Sequence, residues 1–423
     1  MRFVADLHIH SHYSRATSKA SNIRSLAAWA QIKGVHVLGC GDFTHPEWFA
    51  ELEECLVEAE TGFFRLRSGL TPDTAVPLVP DLSPAHIPVR FVLSAEVSCI
   101  YKRGGQVRKI HCIIIVPDLE SARRINTVLA QIGNLQADGR PILGLDARDL
   151  LEIVLEQAPE GFLVPAHIWT PWFSLFGSKS GFDHIEDCFG DLTPHIFALE
   201  TGLSSDPAMN RLISSLDRFT LISNSDCHSP GKLCREANLF HTDFNYFGLR
   251  QAIRYPQDEK GNQRFLATLE FYPEEGKYHH DGHRKCAFSC SPEQSRTFNN
   301  ICPVCGRPVT VGVLSRVMEL ADRQSPVYPQ ASPAVITAVP LAEILSEILS
   351  VGPLTKTVAR NYGQIINEFG SEMNVLFETP IEDLKHSSVS GLANAIERMR
   401  TGQVEKIPGF DGEFGRIRVC SKE

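Results

Sequence analysis

No run in this 423-residue sequence approaches the roughly 18 apolar residues that a membrane-crossing helix needs. Nor does a basic, apolar and small-residue leader precede Asp6 and His8, so the chain reads as cytoplasmic. Internal repeats and low-complexity tracts are missing too, which sets aside a repeat architecture. Gly409, Gly412 and Gly415 recur every third residue, but without the strand before and helix after of a nucleotide-binding fingerprint; they predict a turn into a final strand, Arg416 to Val419. What remains, with 43% hydrophobic and 22% charged residues, is an ordinary globular chain large enough for two or three domains. Its twelve cysteines do not read as a disulfide framework. Cys40, Cys99, Cys112 and Cys188 are scattered singly through apolar segments, as buried thiols in a reducing compartment are.

Histidine and acidic residues are placed with more purpose. Asp6-Leu7-His8-Ile9-His10-Ser11-His12 follows the apolar Phe3-Val4-Ala5, and Ser225-Asp226-Cys227-His228 ends the run that includes Leu221-Ile222. Histidines at i and i+2 of a strand face one side and can grip one cation. Other candidates share this grammar: Asp42 and His45 follow Val35 to Leu38, Glu96 follows Phe91 to Leu93, His167 follows Phe162 to Val164, and Glu200 ends Ile196 to Leu199. Polar residues at the ends of parallel strands that alternate with helices around a closed sheet converge on one mouth. His111 departs from the pattern, because it stands at the front of its apolar run, Cys112 to Val116.

These residues resemble the motifs of the polymerase-and-histidinol-phosphatase (PHP) superfamily. The resemblance implies a distorted (β/α)7 barrel holding two or three divalent metals. It makes His8 and His10 the opening ligand pair, Glu96 a bridging carboxylate, His111 and His167 ligands of a second metal, and Asp226 and His228 the closing Asp-x-His. His8, His10, Glu96 and Asp226 form the catalytic set. The family's adjacent Asp-His of the second motif is spread here across Gly-Asp-Phe-Thr-His-Pro, so a third metal has Asp42, His45 and His12 to draw on. Mixed nitrogen and oxygen donors suit Zn²⁺, Mn²⁺ or Fe²⁺ better than Mg²⁺. The expected chemistry is phosphoester hydrolysis.

Four cysteines are clustered. Cys286 and Cys290, in C-x3-C, precede Cys302-Pro-Val-Cys305-Gly, a knuckle in which two thiolates face one metal. Together they predict a closed structural Zn²⁺ site of four cysteines, with His283, His280 or His279 as substitutes for Cys290. From Arg284 to Arg323 there are six basic residues against three acidic, a local +3 in a chain of net charge −9, compatible with a phosphate backbone. The α/β chain therefore divides into a metal-binding barrel over 1–255, with a proline-rich loop from Gly69 to Pro88, a zinc module over 256–325, and a helical C-terminal domain over 326–423. In that last part Leu341, Ile344, Leu345, Ile348 and Leu349, then Tyr362, Ile365, Ile366 and Phe369, recur at helical spacing.

A PHP barrel followed by a cysteine knuckle and a helical tail is similar to the endonuclease Q family over essentially the whole chain. Phe3 to Ser11, Gly177 to Phe182, Asn224 to Pro230, Lys277 to Lys285 and Cys302 to Arg323 carry the likeness. It implies a DNA-repair enzyme that nicks 5′ to a deaminated base (uracil, hypoxanthine or xanthine) or an abasic site, leaving a 3′-hydroxyl and a 5′-phosphate. Damaged DNA is the expected partner, with a sliding clamp as a further candidate. Trp169, Trp172, Phe173 and Phe176 are placed in sequence to stack on an exposed base, and Arg15, Lys19, Lys179 and Arg235 to hold phosphates. The competing reading is a small-molecule phosphatase of histidinol-phosphate type, which has no evident use for the zinc module and tail.

Overall fold

A computed structural model describes residues 1–72 and 88–420, so residues 73–87 of the expected proline-rich loop lie outside the described residues. Strand β1 (Arg2–Asp6) pairs in parallel with β2 (Val37–Gly39), and β2 in parallel with β3 (Arg90–Arg103). At Gly104-Gly105 the chain turns straight back into β4 (Gln106–Val116), antiparallel to β3 from Leu93↔Val116 to Arg103↔Gln106. Both glycines have positive φ, 60° and 76°, as a two-residue hairpin turn matched to strand twist requires. Strand β5 (Phe162–Pro165) lies antiparallel on β4 and therefore parallel to β3. Strands β6 (Ala198–Glu200) and β7 (Thr220–Ile222) form a separate parallel pair.

Two seams separate these ladders, and hydrogen bonds just past the strand ends cross both. Ile168 N–H donates to Glu200 O (3.1 Å) between β5 and β6. Between β7 and β1, Leu7 N–H donates to Asn224 Oδ1 (2.8 Å) and His10 N–H to Cys227 O (3.1 Å). The seven strands thus follow one another in a ring, and the segments that close it are those carrying the histidines. One departure from the sequence expectation matters. No helix separates β3 from β4, so β4 runs backwards and its front end meets the C-terminal ends of its parallel neighbours, which brings His111 into the mouth.

Strand alternation sorts the apolar residues into two cores. Phe3, Ala5, Val37, Val92, Ile113, Ile115, Phe162, Val164, Ala198 and Ile222 pack together from all seven ring strands, with Tyr246, Leu249 and Ile253 of the helix Tyr246–Arg254. Val4, Leu38, Phe91, Leu93, Cys112, Ile114 and Leu163 face the other way, into a larger core shared with the surrounding helices. The result is a mixed α/β fold around a central sheet. Among the described residues no helix is long and apolar enough to cross a membrane.

The boundary expected at 255 falls inside that sheet. Strand β8 (Ala237–His241) is antiparallel to β1, β9 (Phe265–Glu270) antiparallel to β8, and β10 (Ala334–Thr337) parallel to β9. The last two expected segments also interleave. The final strand, Arg416–Arg418, pairs with Glu405–Ile407, and the turn between them bonds back to the 274–280 segment through Gly409 N–H to Glu274 O and His280 N–H to Gly409 O. The expected helical stripes fall in Leu341–Ile348 and Lys356–Phe369, where Leu341, Ile344, Leu345, Tyr362, Ile365 and Ile366 are buried.

A buried ion pair ties this tail to the first helix, Ile23–Lys33: Lys33 Nζ lies 2.6 Å from Glu372 Oε2. The Tyr362 hydroxyl (2.5 Å) and the Leu341 amide (3.1 Å) also donate to the Glu372 carboxylate. Removing one member leaves a buried charge alone. Lys33→Met should therefore destabilise the protein by about 3–5 kcal/mol, seen as a fall in the urea midpoint.

Candidate metal centre

Among the described residues three groups of donors converge, each with ligand atoms within 4.8 Å of one another: His8, His10, Glu96 and Asp226; Glu96, His111 and His167; and His283, Cys286, Cys302 and Cys305. The first two meet at Glu96, whose oxygens divide between them. Oε2 faces His8 Nε2 (3.5 Å) and His10 Nε2 (3.2 Å), whereas Oε1 faces His111 Nδ1 (2.6 Å) and His167 Nε2 (3.1 Å). Asp226 Oδ1 completes the first group, 3.1 Å from His10 Nε2 and 3.7 Å from His8 Nε2. Glu96, His111 and Glu200 stand on the same strand faces as Val92, Ile113 and Ala198, so the inner core is apolar below and polar at its mouth.

Each histidine of the opening pair is aimed by its own carboxylate. His8 Nδ1 sits 3.1 Å from Glu200, and His10 Nδ1 2.9 Å from Asp42 Oδ1, which leaves both Nε2 atoms turned to Glu96 and Asp226. His8 Nε2 is buried without a hydrogen-bond partner among the described residues. A nitrogen stranded among carboxylates is what a divalent ion satisfies, and the mixed N/O donor set fits one. Electrostatics agree. Burial alone would raise Glu96, but His111, Arg140 and His8 hold it well below the usual carboxylate range. Burial would likewise raise Asp226, and His10 and His8 hold it low. For His8, burial is outweighed by Glu200 and Glu96, which raise it.

The expected second-motif ligands stand elsewhere. Asp42 Oδ2 is taken by the Ser11 amide (2.7 Å) and the Ser11 and Ser14 hydroxyls (2.6 and 2.8 Å), so Asp42 orients His10 and anchors its loop. His45 caps the helix Pro46–Cys55 and stacks on Tyr13 at 4.3 Å. His12 bonds Ser21 O through Nδ1 (3.3 Å). His228 lies beside the His10 ring (4.6 Å) at the rim, outside the two groups. Asp6 accepts from the Ser225 and Cys234 amides, pinning the loop that carries Asp226.

Backbone strain concentrates here. Asp42, His167 and Asp226 have φ of 49°, 29° and 44°, a region costing about 1–3 kcal/mol each for a non-glycine residue and kept only where surroundings enforce it. At Gly202 (φ 70°) an added Cβ would meet His167 Cβ at 2.4 Å, so glycine is required for the β6 turn to pass that histidine.

Several residues expected to touch substrate have other work. Trp169 is buried, donating from Nε1 to Asn210 Oδ1 (2.8 Å) and packing on Phe176, which is buried too. Arg235 donates to the carbonyls of Ser225 (2.9 Å) and Asp226 (3.4 Å), clasping the ligand loop. Trp172 is 40% exposed and meets Tyr278 edge-on, Phe173 lies against His111, and Arg15, Lys19 and Lys179 are exposed. Glu200, a strand-end candidate in the sequence, holds the His8 ring rather than joining either donor group, and sequence reasoning missed Arg140, whose Nη1 lies 3.1 Å from Glu96 Oε2.

In the cysteine module, His283 replaces Cys290. His283 Nδ1 is 3.2 Å from Cys286 Sγ and 3.3 Å from Cys305 Sγ. In the hairpin Asp281–His283/Phe288–Cys290, Cys290 pairs with Asp281 and so sits roughly 7 Å along the strands from the pair that holds His283, outside the donor group. The knuckle is drawn tight by Gly306 N–H donating to Cys302 O (2.9 Å). Burial raises the Cys302 thiol, but the Val304 and Cys305 amides and His283 outweigh it and bring it to about 7, whereas burial and the neighbouring Cys305 and Cys302 thiols push Cys286 up to about 11.

Comparison with known proteins settles the family. The lesion-specific endonuclease Q of Pyrococcus furiosus superposes with a TM-score of 0.83 at 32% identity, over 99% of this chain and 95% of its own. The chain belongs to the endonuclease Q family. A complex of endonuclease Q with a 27-mer duplex bearing an abasic lesion at its active site matches equally, with TM-score 0.83, 32% identity and coverage of 99% and 96%. Residues 340–403 match the family described as the MJ0043 C-terminal domain. The uncharacterized protein MJ0043 of Methanocaldococcus jannaschii is 34% identical over 259 residues, 59% of this chain; the chain spans 31% of that protein's length.

Two outcomes check these assignments. Glu200→Ala frees the His8 ring and should weaken metal binding roughly 10–100-fold in a calorimetric titration. His283→Ala should remove the metal of the cysteine module, whereas Cys290→Ser should retain it, as metal analysis by mass spectrometry will show.

Proposed function

We propose that this member of the endonuclease Q family is a DNA-repair nuclease that hydrolyses the phosphodiester bond 5′ to an abasic site or a deaminated base (uracil, hypoxanthine or xanthine), leaving a 3′-hydroxyl and a 5′-phosphate. The observation that carries the reading is a pair of donor groups sharing Glu96 at the mouth of the strand ring, in a chain matching endonuclease Q along its whole length. The ring corresponds in this reading to a distorted (β/α)7 PHP barrel, with the cysteine module and helical tail as its DNA-facing additions. Two divalent metals at the Glu96 groups would supply hydroxide at neutral pH and stabilise the entering and leaving oxygens of an in-line displacement. His8, His10 and Asp226 hold the first position, His111 and His167 the second, and Glu96 joins them. Glu200 and Asp42 keep the opening histidines aimed, and the apolar ring interior below keeps water from the far side.

The His283, Cys286, Cys302 and Cys305 group is read as a structural zinc site, because a sulfur-rich closed donor set leaves no open position for chemistry. Extruding a damaged nucleotide costs least where pairing is already lost, which fits abasic and mismatched lesions to a site recessed in a ring mouth. Trp172, beside Tyr278, offers an exposed ring on which a base could stack, and Arg15, Lys19 and Lys179 present exposed cations to backbone phosphates.

The deciding assay uses an end-labelled duplex carrying one abasic-site analogue, deoxyuridine or deoxyinosine, with Mn²⁺, Mg²⁺ or Zn²⁺. A single cut 5′ to the lesion is expected, absent from undamaged duplex and from Asp226→Ala. Phosphate release from small esters without any nick would instead place the protein among small-molecule phosphatases.

A further inference from the structure

Among the described residues Glu96 has an ion pair beyond the histidines. Arg140 Nη1 lies 3.1 Å from Glu96 Oε2, the oxygen that also faces His8 and His10. The Arg140 side chain is 25% exposed, so it reaches the centre of the site and the solvent together. Its backbone is fastened on every side. Arg140 N–H donates to Asp138 Oδ1 (3.2 Å), Gly139 N–H to Tyr13 O (3.0 Å), Thr44 Oγ1 to Gly139 O (3.3 Å), and Ser98 N–H to Pro141 O (3.0 Å). The guanidinium is thus delivered by a segment tied to the histidine loop, to the Asp42–His45 turn and to β3.

We propose that Arg140 is the phosphate-gripping residue of this centre, its guanidinium binding a non-bridging oxygen of the scissile phosphate; the inference rests on the phosphoester-hydrolase reading above. A divalent ion held by His8, His10, Glu96 and Asp226 would compete for the Glu96 lone pairs that Arg140 uses and would repel its charge. The side chain then has an exposed direction in which to turn, toward an incoming anion. A planar fork of donors matches phosphate geometry, and a bond between two charged groups is stronger than a neutral one. Asp138 extends the path outward: it accepts the Arg15 amide (3.1 Å), and its Oδ2 lies 3.5 Å from Nε of Arg15, whose side chain is 79% exposed. One arginine faces the centre and the other the solvent, an arrangement suited to a phosphate backbone passing between them.

The test compares the full chain with Arg140→Ala, Arg140→Gln and Arg140→Lys, each loaded with Mn²⁺. Metal content is measured by mass spectrometry, and inorganic phosphate binding by Mn²⁺ broadening of its phosphorus resonance. Metal content should match the parent in all three. Phosphate affinity should fall about ten- to a hundredfold in the Ala and Gln variants and recover only in part in Lys, which keeps the charge but not the fork. On an abasic duplex kcat should fall with KM little changed, since the remaining backbone contacts persist. Phosphate binding at parental strength in Arg140→Ala overturns the proposal. So does joint loss of metal and phosphate in Ala with recovery of both in Gln, which would make Arg140 only a hydrogen-bond partner of Glu96. Should the parent nick no duplex while phosphate binding still depends on Arg140, the DNA reading fails and the role of Arg140 stands.

Discussion

An ionised carboxylate removed from water is among the costliest groups to bury unless it is paired, and Glu96 is 1% exposed. The arrangement around it answers that cost. The segment after β1 brings His8 and His10 to one of its oxygens with Arg140, β4 and the end of β5 bring His111 and His167 to the other, and Glu200 and Asp42 hold the opening pair. The antiparallel turn between β3 and β4 is part of the same solution. Only by reversing direction can two strands joined by two glycines place Glu96 and His111 at one mouth.

A second tier of buried acids supports the first. Glu200 holds the His8 ring and the His167 amide, Asp42 holds the His10 ring and the following turn, and Asp6 holds the two amides flanking the Asp226 loop. The Glu200 and Asp6 contacts also cross the two seams where the ring has no strand ladder. The aim of the donor side chains and the closure of the ring therefore draw on some of the same residues, and the backbone is left-handed at His167 and Asp226, beside the two seams. Family membership is consistent with this economy, because a centre for phosphodiester chemistry depends on fixed rather than adaptable donors.

The remainder of the chain is built onto that ring rather than appended after it. Strands β8, β9 and β10 extend the sheet, the last hairpin folds back on the segment before the cysteine knuckle, and Lys33–Glu372 joins the first helix to the tail. Cutting the chain at 255 would strip β8 of its β9 neighbour and open the larger core.

By itself the sequence determined the strand-end histidines and acids, the cysteine cluster and the amphipathic tail helices. Each is written in local spacing: i, i+2 on a strand, C-x2-C in a turn, i, i+3, i+4 on a helix. What depends on contact between distant segments was decided only in three dimensions. His111 joined the mouth because β4 runs backwards; Asp42 turned from ligand to support because Ser11 and Ser14 reached it first; His283 took the place of Cys290 through hairpin register. Trp169 and Arg235, suited in sequence to stack on bases and hold phosphates, were spent on Asn210 and on the carbonyls of the Asp226 loop. Arg140, forty-four residues from Glu96, carries no local signal at all, since an ion pair between a loop and a distant strand leaves no periodicity to read.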